Sequence, residues 1–256
     1  MSYLSGKRAA IFGVANDHSI AWAIAQRFRA EGAEIALTYP NEAIEKRVRP
    51  LAESIGVDCL LACDVTSDAA IDAAFAALRE RWGELDAVVH SIAFAGRDEL
   101  KGRYVETTRQ GFHLALDVSA YSLVAMARAA EPLLAPRRGA LVTMTYIGSE
   151  RVIPHYNVMG VAKAALEASV RYLAWDLGAS GIRVNAISAG PIRTLSSAGI
   201  SGFKTMLHHQ EEHAPLRRNV SPEEVANAAL YLCSAAGDGI TGEVLHVDGG
   251  YHVMGM

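Results

Sequence analysis

The stretch RAAIFGVANDHSIAWAIAQRFRAEGAEIALTY, Arg8 to Tyr39, decides the fold. It opens on the short apolar run RAAIF, turns at Gly13, continues with helical period from Ile20 to Glu31, and ends in a second apolar run, EIALTY. Apolar runs of this length, rich in β-formers, read as buried strands, and the longer periodic segment between them reads as a helix. Gly32 stands where the helix has to stop, in the position that favours a left-handed backbone. The unit is β-α-β.

The alternation repeats downstream. Helical period from Glu42 to Ile55 leads to CLLACDV (59–65), and Ala69 to Arg81 leads to DAVVHSIA (86–93). Then come Thr108 to Glu131, ALVTMTY (140–146), Tyr156 to Ser180, RVNAIS (183–188), two more helical stretches and EVLHV (243–247). Strands that alternate with helices predict an α/β fold: a single-domain, Rossmann-like, doubly wound parallel sheet with helices on both faces. Neither a linker nor an internal repeat divides residues 1–256, and in such a fold ligands lie beyond the carboxyl ends of the strands.

The bulk numbers agree. With 256 residues, 51% apolar and 20% charged, the chain is long enough to bury a large core and too apolar for disorder. A net charge of −4 gives no bulk electrostatic case for nucleic acid. The start MSYLSGKRAAIFG has no long apolar leader, and no later segment approaches a membrane span, so the expected compartment is the cytoplasm. Cys59, Cys63 and Cys233 contain no CxxC and read as small buried apolar groups.

Four motifs sit where such a sheet would present them. IFGVANDHSIAW enters the first helix from the first strand with one glycine, where a dinucleotide loop belongs, without matching GxGxxG. Gly13 makes the turn, and Ser19 caps a helix whose amides face a pyrophosphate. Asp64, at the end of the third strand, offers a carboxylate to an adenine amino group. The second strand ends in TYPN, with no acidic residue to grip a ribose 2′-hydroxyl and no arginine to clamp a 2′-phosphate. That pattern favours NADH and leaves NADPH open. In RVNAISAGPIRT, Gly190 and Pro191 form a rigid turn that presents Ile192 to a nicotinamide amide and Thr194 to a phosphate.

The fourth motif is YNVMGVAK, Tyr156 to Lys163, a tyrosine seven residues before a lysine. On a helix the two share a face roughly 10 Å apart along the axis. Val158, Ala162, Leu166, Val170, Leu173 and Leu177 form the buried stripe of that helix. HHQEEH, with His209, Glu212 and His213, has inverted zinc-protease spacing but no third ligand in evidence, and it reads as a charged helix face. No metal is expected.

Together these residues resemble the short-chain dehydrogenase/reductase superfamily and, within it, the bacterial enoyl-(acyl-carrier-protein) reductases. The resemblance spans essentially the whole chain. It rests on GVANDHSIA, on HSIAFA, on Tyr146 and Tyr156 with Lys163, on SAGPIRT and on the ending VDGGY. It implies that Gly13, Ser19 and Ile20 line the pyrophosphate loop, that Asp64 and Val65 hold adenine, and that Ser91, Ile92 and Ala93 follow the ribose and nicotinamide. It further implies that Lys163 binds the nicotinamide ribose and that Ile192, Arg193, Thr194, Leu195 and Ser196 close over the cofactor. Tyr146 and Tyr156 would face substrate beside Ala95. Tyr146 stands where ordinary superfamily members place a serine, and Ala93 replaces the usual glycine.

The implied reaction explains the spacing. Hydride goes to Cβ of a trans-2-enoyl thioester while charge appears on the thioester oxygen, two carbons further along. Moving the tyrosine three residues from the usual YxxxK position shifts its origin roughly 4.5 Å along a helix, comparable to that displacement. Met159 holds the usual position and cannot donate a proton. Tyr146, Met159, Ile200, Phe203 and Met206 are expected to line the acyl pocket, with a substrate-binding segment at about 194–215. The implied partner is an acyl carrier protein, CoA thioesters serving in vitro, and the implied assembly is a homotetramer. Rival readings are a ketoreductase, against which Met159 argues, and a sensor of the NADH/NAD ratio, against which Tyr146, Tyr156 and Lys163 argue together.

Overall fold

The computed structural model describes residues 2–195, 197 and 202–255. The first unit forms as its pattern requires: β1 (Arg8–Phe12), α1 (Ile20–Ala30) and β2 (Glu34–Tyr39). Gly32 follows α1 at φ +84°, the conformation its position predicts. There follow α2 (Glu42–Ser54), β3 (Cys59–Ala62), α3 (Asp68–Trp82), β4 (Ala87–His90), α4 (Arg109–Leu116), α5 (Ser122–Leu134) and β5 (Ala140–Thr145). The rest comprises α6 (Val158–Gly178), β6 (Arg183–Ala189), α7 (Phe203–His213), α8 (Pro222–Cys233) and β7 (Val244–Val247). The strands form one sheet in the order β3-β2-β1-β4-β5-β6-β7, and every pair is parallel.

Period-two alternation divides the core between the two faces of this sheet. In β1, Ala9 and Ile11 join Trp22, Ile24 and Phe28 of α1 and Val225 and Leu230 of α8. Ala10 and Phe12 join Phe75 of α3, Leu123 and Met126 of α5, and Leu166 and Val170 of α6. The stripe read along α6 is buried from Val158 to Leu177. Polar side chains set several helix starts: Asn41 accepts from the Ile44 amide and Ser67 from Ala70, while Ser221 and Glu224 close a reciprocal cap on α8.

Three boundaries depart from the sequence reading, and each departure shapes the site. β3 and β4 stop at Ala62 and His90, so Asp64, Val65 and Ser91 to Ala93 lie in loops beyond the strand ends. The expected single helix from Thr108 to Glu131 is interrupted by a π-helical turn, Asp117–Tyr121, and resumes as α5 through Pro132. Finally, Tyr156 is not helical. Asn157 takes φ 42° and ψ −123°, which α-helix cannot accommodate, and α6 begins at Val158.

Candidate active site

At the carboxyl edge of the sheet, β1 and β4 are neighbours whose chains leave in opposite directions, the switch point where a doubly wound fold opens a crevice. Gly13 belongs to that crevice for a steric reason. It has φ +107°, and a Cβ there would lie 2.0 Å from the Ser91 carbonyl oxygen. Only glycine lets the loops after β1 and β4 approach this closely. Ser19 is the N-cap residue of α1, but its hydroxyl turns away from the helix and accepts the amides of Ala15 and Asn16 at 3.0 and 3.1 Å. The expected side-chain cap is therefore absent, and the hydroxyl instead pins the loop. The Ile20 and Ala21 amides keep the free, positively polarised N-terminus that an anionic pyrophosphate fits. Asp64 is exposed, and its Oδ1 accepts from the Thr66 amide and hydroxyl, leaving Oδ2 for a ligand; Val65 is buried behind it. These residues fit a dinucleotide.

The loop after β4 is held by two groups that sequence reading passed over. His90 is fully buried, and burial pushes its pKa down to about 3, so the ring is neutral. The Ser122 hydroxyl donates to the Val118 carbonyl at 2.7 Å, so it accepts from His90 Nε2–H at 2.8 Å, and Nδ1 accepts from the Thr143 hydroxyl at 2.8 Å. The tautomer is thereby fixed. In the π-helical turn, Ser119 Oγ accepts the Phe94 amide at 3.0 Å and lies 3.2 Å from the Phe94 carbonyl and 3.8 Å from the Met159 sulfur. Ser119 therefore fixes the path of residues 91–96. Its only signal in the sequence would have been a helix interrupted near 117, which periodicity does not reveal.

Tyr146 and Tyr156 meet directly, and not by way of a helix that Tyr156 shares with Lys163. The chain bends sharply around Tyr156: His155 and Asn157 both have positive φ, 65° and 42°. Such backbone costs about 1–3 kcal/mol per residue and persists only where surroundings enforce it. Here Asn157 Nδ2 donates to the Glu99 carbonyl at 3.2 Å. The Tyr156 ring packs edge-on against Tyr146, with centroids 5.1 Å apart. Gly148 makes this pairing possible, because a Cβ there would meet Tyr156 Cδ1 at 2.5 Å and Tyr146 Cδ1 at 3.3 Å. Gly160 lets α6 approach, since its Cβ would lie 2.7 Å from the Gly148 oxygen.

Burial raises the pKa of both tyrosines, so both remain proton donors, and neither hydroxyl is engaged within the chain among the described residues. Lys163 is 5% exposed, donates to the Met144 carbonyl at 2.8 Å, and is pushed down to about 8 by burial, partly offset by Glu167. Near neutral pH it is still a cation. The structure thus offers two uncharged donors packed edge-on and a buried cation on the helix that follows, groups of the kind that stabilise charge developing on a substrate oxygen.

Two of the residues expected at the acyl pocket line one cavity. A cavity of about 480 Å³ is lined by Tyr146 and Met206, as expected, and by Ile153, His209, Gln210 and Tyr251, which sequence reading did not assign. Tyr156 and Met159 lie in the adjoining packed cluster with Leu100, Ala115 and Val158, against which Ala93 and Ala95 rest. Phe203, half-buried at the start of α7, lines neither this cavity nor its neighbour. A second cavity of about 490 Å³, on the other side of α7, includes Ile192, Arg193 and Lys204. Thr194 and Ser197 exchange hydrogen bonds, the Thr194 hydroxyl accepting the Ser197 amide at 3.1 Å, while Leu195 is exposed. Ser196 and Ile200 lie outside the described residues. In HHQEEH, His209 and His213 stack at 4.0 Å and His208 pairs with Glu212 at 3.2 Å.

Comparison with known proteins bears on the chain as a whole. The sequence model of the family described as enoyl-(acyl carrier protein) reductase matches residues 13–252. Enoyl-(acyl-carrier-protein) reductase (NADH) 1 of Rhizobium meliloti (strain 1021) is 57% identical over 99% of this chain and 93% of its own. The NADH enzyme of Escherichia coli (strain K12) is 53% identical over 100% and 98%. Among solved structures, the reductase from Anaplasma phagocytophilum in complex with NAD superposes with a TM-score of 0.95 at 54% identity, covering 99% of this chain and 97% of that one. The Bacillus cereus reductase with NADP+ and indole naphthyridinone gives 0.98 at 50% identity, covering all of both chains. With the single-glycine crevice, the paired tyrosines and the buried lysine all in place, the chain belongs to the enoyl-(acyl-carrier-protein) reductase family.

Proposed function

We propose that this protein reduces trans-2-enoyl thioesters carried on acyl carrier protein, with NADH, in fatty acid synthesis. The observation that carries the reading is the edge-on pair of protonated tyrosines, Tyr156 buried and Tyr146 lining a largely apolar cavity. When bound, NADH supplies the hydride that reaches Cβ of the substrate. Tyr156 donates a hydrogen bond to the thioester oxygen as negative charge develops there, in a pocket poor in water where such a bond is strongest. Tyr146 packs edge-on against that ring and forms the wall between it and the cavity. Lys163 turns from the Met144 carbonyl to the ribose hydroxyls and adds positive potential.

The choice of NADH rests on β2. Its end carries Tyr39, Pro40 and Asn41, with the Asn41 side chain occupied in capping α2, and Lys46 and Arg47 lie further along that helix. No cation stands ready for a 2′-phosphate among the described residues of this turn. The substrate-binding segment is 194–215, and the rim formed by Arg193 and Lys204, opposed by Glu211, receives the acidic carrier.

The same reading makes the assembly a homotetramer in the cytoplasm. Of the small residues on the two long helical stretches that could let subunits approach closely, Ala115, Ala120, Ala125 and Ala127 are buried within the subunit, whereas Ala164 is exposed and Ala165 and Ala168 are half-buried on α6. On α6, Tyr172 is 75% and Trp175 84% exposed, and these are the groups a neighbouring copy would cover. No helix among the described residues is long and apolar enough to cross a membrane. Light scattering should give a mass near four times 27.4 kDa. Trp175→Arg should reduce that mass.

Incubation with NADH and crotonyl-CoA, following absorbance of the reduced cofactor, tests the activity, and an enoyl thioester of the carrier protein then tests the partner. Consumption of NADH with both supports the reading. Binding of NADH without turnover of either substrate would make the protein a cofactor sensor instead.

A further inference from the structure

The site contains one buried ionisable group to which the proposed reaction assigns no task. Glu167 lies on α6 one helical turn beyond Lys163, on the same face, and the two side chains are 6% and 5% exposed. Its Oε1 accepts the Thr145 hydroxyl at 2.6 Å, while Lys163 donates to the carbonyl of the preceding residue, Met144. Two neighbouring residues at the end of β5 thus hold the carboxylate and the ammonium in fixed register, without a direct ion pair between them.

The other ionisable groups near this place are neutral or turned to other partners. His90, at the end of β4, is neutral, and Tyr146 and Tyr156 are protonated. Asp248, which acts on Tyr146 from beyond β7, is taken up by the amides of Gly250 and His252 and by the His252 ring. A buried carboxylate is costly unless it answers an opposite charge, and Lys163 is the cation within reach.

We infer that Glu167 is a positioning residue, the fixed counter-charge that keeps Lys163 protonated at its buried post, with Thr145 holding the carboxylate. Because the carboxylate accepts from Thr145 and not from the ammonium, Lys163 remains free to turn toward a ribose. Glu167 touches neither substrate nor cofactor. Its effect is electrostatic and acts through the lysine, whose pKa it raises against the pull of desolvation.

The inference rests on the reading that Lys163 binds the nicotinamide ribose, and the experiment separates the two. In the cofactor-free protein, the Lys163 ε-methylene resonances are followed against pH in the parent, Glu167→Gln and Glu167→Asp. Glu167→Gln keeps an acceptor for Thr145 and removes the charge. Its lysine should titrate about one pH unit lower than the parent's, and Glu167→Asp should restore most of the difference. The dissociation constant for NADH, measured by fluorescence across the same range, should weaken at correspondingly lower pH in Glu167→Gln. An identical Lys163 midpoint in parent and Glu167→Gln overturns the inference. Lys163→Met binding NADH as tightly as the parent overturns the ribose reading, whatever the midpoints are. Should Glu167→Gln fail to fold, Glu167→Met removes the charge with a side chain of similar length, and an unmoved midpoint there is equally fatal to the inference.

Discussion

Gly148→Ala should slow the enzyme about a hundredfold while leaving the fold standing. The backbone at Gly148 is not in the left-handed region, so alanine brings no conformational strain of its own. The added methyl would lie 2.5 Å from Cδ1 and 2.8 Å from Cε1 of Tyr156, whereas ordinary contact begins near 3.4 Å. The ring must therefore retreat by about 0.9 Å, the difference between 3.4 and 2.5. It has little room, since Tyr146 packs against it and the turn is anchored through Asn157 to Glu99. A misplacement of roughly 1 Å at a reacting group costs about 10²-fold in rate. Overpacking adds about 1–3 kcal/mol of destabilisation, some 2–12 °C in Tm for a chain of this size. The assay is initial-rate reduction of crotonyl-CoA, with NADH titration and a thermal melt on the same samples. NADH affinity should change little, because Gly13 and the α1 N-terminus are untouched. Gly239→Ala is the control, since a Cβ there meets nothing within 4 Å. Turnover equal to the parent's in a folded Gly148→Ala protein would refute the argument that the Tyr156 ring position governs the rate.

Tyr156→Phe should lower turnover by up to about 10²–10⁴ with NADH affinity unchanged, as steady-state kinetics and fluorescence titration would report. Lys163→Ala should weaken NADH binding as well as turnover, with Lys163→Arg recovering part of the binding through its retained charge; calorimetry reads both. Because the folded pKa of Lys163 is depressed to about 8 from 10.5, the unfolded chain binds more protons between those values. Its contribution to stability therefore rises with pH across that window, by about 3 kcal/mol in all, and urea titrations should show this slope in the parent and not in Lys163→Met. Over the same window the lysine loses its charge, so NADH affinity should fall as pH passes 8. Asn157→Ala, which removes the anchor to Glu99, should lower turnover more than stability, as paired kinetics and thermal melts would show.

The order of strands and helices, the two-sided sheet and Gly13 as a turn were all legible in the sequence, which also put forward Tyr146, Tyr156 and Lys163 as one site. These depend on local pattern: period two or near four, a glycine after a strand, and motif residues at fixed separations along the chain. What only the tertiary structure decided is how those residues meet. Tyr156 stands in a strained turn outside α6, because Asn157 finds a hydrogen-bond partner in Glu99, 58 residues earlier. Helical spacing could not foresee that, since the partner enters from another loop. The same holds for Ser119, which reaches Phe94 only because the helix widens at Asp117–Tyr121, and for the small residues at 115–127, which pack inward. Periodicity identifies a buried face, and only the packed molecule tells whether its own core or a neighbour covers it. Glu167 shows the limit most directly. On the chain it is one charge on a helix, four residues from a lysine; its meaning comes from burial, which removes water as a competing partner and makes each remaining charge act on its neighbour.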